Sequence, residues 1–140
     1  MREPAGRGCR ALALAVGWLL THGSAQAVEG DAARGERVFQ RCYACHSVAP
    51  QEPAKLQGPS LYRIVGRPAA TMAEFDYSEA MRGKAAAGLV WDAATLDRYI
   101  ADPDAVVPGA RMMLVPPLHD AQERADLIAY LARSGPFTTP

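Results

Sequence analysis

Cysteine and histidine are scarce in this chain, three of each in 140 residues, and their scarcity excludes much. Beyond the N-terminal segment only Cys42 and Cys45 remain. Small exported folds held by disulfides usually carry about four or more cysteines, well separated in sequence, so a disulfide scaffold is not expected. A zinc site fails on the same count, because there is no second cysteine pair and the only histidine in that region besides His46 is His119. An excess of either charge is also missing, with 15 basic and 15 acidic residues. Nor is there a long hydrophobic run: the most apolar stretch, ALALAVGWLL from Ala11 to Leu20, is half the roughly twenty residues that span a bilayer.

The setting of that stretch gives it another meaning. Arg2, Arg7 and Arg10 precede it, and SAQA, ending at Ala27, follows with the small-x-small pattern of a signal-peptidase site. Residues 1–27 therefore read as a cleaved export signal and 28–140 as a single domain. Cys9 lies before the apolar run, the wrong place for a lipid-modified cysteine, and leaves with the signal. Removing three basic residues and one acidic residue takes the formal charge to about −2, which excludes the broadly cationic surface that binds nucleic acid.

The stretch RCYACHS, Arg41 to Ser47, is what the chain does have. A thioredoxin-like redox pair would want a strand-then-helix setting and would leave His46 without a task. Haem attachment employs all three residues. Two thiols on one turn can add to the two vinyl groups of a porphyrin, and the adjacent imidazole is then held under the iron as an axial ligand.

The opposite face of the iron needs a second ligand or an open position. His119, beside Asp120 at a helix start, reads as a surface residue. In VPGARMML, Met112 and Met113 lie in a Pro- and Gly-containing loop without helical periodicity, where the backbone determines how a thioether points. Filling core space would account for one of the pair.

The segments GERVFQRCYACH, GPSLYRIVGR, FDYSEAM, GLVWDAATLDRYIADPDAVVPGARM and ERADLIAYL follow one another in an order that resembles a class I cytochrome c of the bacterial cytochrome c2 or mitochondrial-like type. The resemblance runs from about Gly30 to Leu131. It implies an all-α fold in which N- and C-terminal helices cross, with middle helices and loops enclosing one covalent haem c bound through Cys42 and Cys45. The sequence places the first helix over roughly 31–45, with Gly35 and Phe39 on one face, and the last over roughly 121–133, opening with Asp120 and Glu123 spaced as a capping box. A middle helix begins near Asp92 and stops before Pro103, with Leu96, Tyr99 and Ile100 inward.

The resemblance also implies site roles. His46 and Met112 would be the axial ligands, Met112 being favoured over Met113 by its spacing from Pro108 and Gly109. The Pro59 carbonyl would orient His46. Arg67, Tyr77 and Trp91 would surround the propionates, and Tyr99 would lie near the methionine. Core packing alone would also explain Trp91, Tyr77 and Tyr99, and Arg67 could be a simple surface residue.

Departures from the family pattern bear on the site. Ala110 and Arg111 stand where threonine and lysine are common, so Ser78 or water is left to replace the hydroxyl. MLVPPLHD is one residue longer than usual, with Leu114 at an aromatic position, and MRGKAAAG reads as an enlarged polar loop. Asp104 and Ala105 replace lysines used for docking in mitochondrial proteins, leaving Arg41 and Arg111 near the exposed haem edge.

The implied function is one-electron shuttling between periplasmic or membrane-bound redox complexes by a monomeric carrier. Donor and acceptor proteins would be its partners, with no nucleic acid, no lasting membrane insertion and no substrate turned over. An open iron that binds a diatomic gas or peroxide is the reading from another class, against which no histidine is placed as an acid–base group. A tightly held subunit of a dehydrogenase or oxidase is a third.

Overall fold

A computed structural model describes residues 28–51, 56–113 and 116–138; residues 1–27, read from sequence as an export signal, and Leu114 lie outside the described residues. Among the described residues five helices follow in order: α1 (Ala32–Phe39), α2 (Glu79–Ala86), α3 (Ala93–Ala101), α4 (Pro103–Val106) and α5 (Ala121–Ala132). No strand forms among the described residues; an isolated antiparallel bridge joins Pro68 and Val90. The chain is thus all-α.

Aspartates start four of the helices for the same physical reason. The first turn leaves N–H groups without partners, and a short carboxylate one position before it can accept from them. Asp31 accepts from Arg34 N at 2.8 Å, Asp92 from Thr95 N at 2.7 Å and Asp120 from Glu123 N at 2.9 Å. Asp102 both ends α3 and caps α4, where Pro103 occupies the first turn. The capping box at Asp120 is used on one side, since the Glu123 carboxylate lies 3.6 Å from Arg41 instead.

Helices α1 and α5 cross at small residues. A Cβ at Gly30 would come within 2.6 Å of the Ala125 carbonyl carbon, and one at Gly35 within 2.5 Å of that of Asp126. Beside the crossing, the rings of Phe39 and Tyr130 meet at 5.3 Å between centroids. Phe39, Leu127 and Leu131 are buried there and join Leu96, Ile100, Val107 and Leu118 in one core.

One polar group crosses with them. Asp126 is only 3% exposed, yet four donors satisfy it: Asp31 N at 2.7 Å, Arg34 Nε at 2.7 Å, Arg34 Nη2 at 2.8 Å and Gln122 Nε2 at 2.9 Å. The bond from Arg34, followed by those from Asp31 and Gln122, outweighs burial and holds the carboxyl well below the usual range. A depressed pKa gives stability above the unfolded value near 4 that is lost as the pH falls below it. Asp126→Asn is therefore expected to melt below the parent at pH 7, with the gap beginning to narrow below about pH 5 and still narrowing below about pH 3, because the folded-state carboxyl titrates well below the usual range. Melting curves across that range check this; a gap independent of pH would contradict it.

Two local expectations are corrected. The first helix stops at Phe39 rather than near Cys45, because the chain tightens into short turns: Cys42 N donates to Phe39 O at 2.7 Å and Cys45 N to Cys42 O at 3.0 Å. MRGKAAAG is mostly helix α2 rather than an enlarged loop. Ser78 caps that helix by accepting from Met81 N at 3.1 Å, and Gly88, at φ +85°, follows its end.

Candidate functional site

The turns after α1 present Cys42, Cys45 and His46 together. His46 N donates to Cys42 O at 2.9 Å, which sets His46 one turn on from Cys42. Both thiols are free, and burial, the main cause, pushes that of Cys42 up to about 11. That is the reverse of the acidified thiol in a CxxC redox couple.

His46 is held from its far side. Its Nδ1 lies 2.8 Å from the Pro59 carbonyl, which can only accept, so Nδ1 carries the proton and Nε2 the lone pair that ligates a metal. Gly58 makes the approach possible: a Cβ there would fall 2.6 Å from His46 Nδ1 and 2.8 Å from Nε2. The backbone bonds Gly58 N to Cys45 O at 2.8 Å and Leu61 N to Ser47 O at 2.7 Å fasten the two segments together. Gly58→Ala is expected to tilt the ring and weaken its hold on iron, about tenfold in ligand exchange. Acid titration of the ferric low-spin spectrum measures this; a midpoint unchanged from the parent would contradict it.

Arg67, Tyr77, Trp91 and Tyr99 form a connected group. Arg67 is 5% exposed, donating through Nη2 to Ser60 O at 2.6 Å and through Nη1 to Tyr62 O at 3.2 Å and Met72 Sδ at 3.5 Å. Met72 N in turn donates to the Tyr77 hydroxyl at 3.4 Å. Trp91 pairs with the 66–67 backbone, its N donating to Arg67 O and its O accepting from Gly66 N, both at 2.9 Å. The Trp91 and Tyr99 rings lie 4.9 Å apart between centroids, and burial alone pushes the Tyr99 hydroxyl up to about 12.

The surface reading of Arg67 is thus wrong. Burial lowers its pKa, but a guanidinium remains charged, and among the described residues no carboxylate forms an ion pair with it. A buried cation without a counter-charge is costly, so the pocket calls for an anion from elsewhere. Free paired thiols, an oriented imidazole and this cation together fit a haem bearing vinyl and propionate groups.

The methionine loop separates its two sulfurs. Met112 is half-buried and packs on the core, while Met113 is 84% exposed. Ser78 accepts from Met81 N as the α2 cap, which leaves its O–H to donate elsewhere. Arg111 donates to Asp76 O at 3.4 Å, and Arg41 donates to Pro116 O besides pairing with Glu123 at 3.6 Å. His119 is exposed, as expected. Gly58 and Ser60 were not singled out from sequence, where GPS in the segment GPSLYRIVGR was the available signal; Met72 reads from sequence as a packing residue and here also meets Arg67.

The family model for cytochrome c matches residues 32–134. The chain belongs to the cytochrome c family. Cytochrome c2 of Rhodomicrobium vannielii is 43% identical over 117 residues, covering 84% of this chain and 90% of that protein. Cytochrome c-550 of Novispirillum itersonii is 44% identical, covering 74% and 97%. The solved structure of cytochrome c2 from Rhodospirillum centenum superposes with a TM-score of 0.70 at 35% identity, covering 76% of this chain and all of that one. As a class I c-type cytochrome, the protein takes part in electron transport and carries one haem c bound covalently through Cys42 and Cys45. Among the described residues no helix is long and apolar enough to cross a membrane.

Proposed function

We propose that this cytochrome is a His/Met-ligated one-electron carrier, with His46 and Met112 as axial ligands. The observation that carries the reading is the His46 Nδ1 to Pro59 carbonyl bond at 2.8 Å, formed beside two free thiols on the same turn. The haem supplies the ferric/ferrous couple. His46 and Met112 would hold the iron in both oxidation states, so little reorganisation would accompany transfer. A thioether raises the potential relative to a second histidine. Arg67 would neutralise buried propionate charge, with Trp91 held beside it by the backbone bond from Trp91 N to Arg67 O.

Partial burial of Met112, against the exposure of Met113, supports choosing the former. Residues 1–27 act as an export signal that is removed, leaving the single domain 28–140 in the periplasm as a monomer. There it shuttles electrons between a donor and an acceptor complex, without turning over a substrate of its own. Similarity to cytochromes named c2 and c-550 supports this placement.

Spectroelectrochemical titration of the holoprotein tests the carrier function. A single reversible one-electron wave with low-spin spectra at both ends is expected. A high-spin reduced form that takes up carbon monoxide would overturn it.

A further inference from the structure

Four methionines lie among the described residues, and their surroundings differ sharply. Met72 is half-buried and its sulfur accepts from Arg67 Nη1 at 3.5 Å. Met81 and Met112 are half-buried against the core. Met113 is 84% exposed, at the rim of a groove of about 470 Å³ that Ile100, Pro103, Asp104, Met112 and His119 also line. A thioether reacts with oxidants according to its access to them, and neither burial nor a bonded cation shields this one.

We propose that Met113 is an oxidation site at which a hydroperoxide converts the thioether to the sulfoxide while Met112 is spared. The Met113 sulfur attacks one peroxide oxygen and gives up two electrons. An S–O bond forms and the O–O bond breaks. The proton on the attacked oxygen passes to the departing one, which leaves as water when the oxidant is hydrogen peroxide. The product exchanges an apolar side chain at the groove rim for a strongly polar one. That change falls one residue from Met112 and leaves the buried core untouched. The proposal rests on the His/Met reading only for the statement that Met112 stays bound.

The test treats ferric holoprotein with a few equivalents of hydrogen peroxide, quenches with catalase, and locates added oxygen by tandem mass spectrometry of the peptide beginning at Met112. The red sulfur-to-iron absorption band is recorded before and during exposure. Its presence at the start reports methionine ligation separately from which methionine is oxidised. Oxygen is expected at Met113 about tenfold faster than at Met72 or Met81, with the red band retained. In Met113→Leu the rapid uptake should disappear, leaving the slower sites unchanged. Oxidation first at Met112, equal rates at all four methionines, or persistence of the rapid uptake in Met113→Leu would each overturn the proposal.

Discussion

Met112→Ala is expected to open the iron to added ligands, whereas Met113→Ala leaves it closed. The half-buried side chain packs on the core and the exposed one does not, so only Met112 is placed where a thioether can be held away from water. A ligand worth about 3 kcal/mol in competition suppresses exogenous binding by roughly 100-fold. Removing it should raise the affinity of ferric protein for imidazole by about that factor and abolish the red absorption band. Met113→Ala should alter neither. The reverse pattern would move the ligand by one residue, and two unaffected variants would remove the methionines of this loop from the iron.

Gly35→Ala is expected to be the most destabilising single change at the helix crossing. Two effects oppose each other. Alanine in place of helical glycine gains about 1 kcal/mol from propensity. At this position the added methyl would collide with the Asp126 carbonyl and come within 2.8 Å of Tyr130 Cβ, and backbone cannot rotate aside as a side chain can. Overpacking of this kind costs about 3 kcal/mol or more, so the net change is a loss. A fall in Tm on the order of 10 °C follows for a domain of this size. Gly83, within α2, is the internal control: a Cβ there meets nothing within 4 Å. Gly83→Ala should therefore raise the Tm slightly. If both substitutions shifted Tm alike, close approach at the crossing would not be what fixes Gly35.

The features legible in the sequence were those set by near neighbours in the chain. Asp92 and Asp120 announce helix starts because a cap and the N–H that donates to it lie three residues apart. CxxCH is legible for the same reason, its three groups sharing consecutive turns. The segment at α2 misled because none of its residues is buried, so no apolar stripe marks it as helix. Its alanines and Ser78 cap favoured helix nonetheless. Within the site, Pro59 could be anticipated through resemblance, but the need for Gly58 depends on the imidazole of His46, 12 positions away, and is visible only in space. Arg67 could be read as surface or site because its Ser60 and Tyr62 acceptors are backbone carbonyls, which carry no residue-type signal. Asp126 was opaque too: an acidic residue in a helix ordinarily faces water, and its burial here is decided by Arg34, 92 positions earlier.

The most direct measurement is the optical spectrum of the protein exported from a host with a haem-attachment system, recorded oxidised and reduced. Covalently held low-spin haem in both states, with the weak red sulfur-to-iron band when oxidised, is the predicted result. A high-spin spectrum that shifts on adding carbon monoxide to the reduced protein would contradict His46/Met112 ligation and, with it, the carrier function.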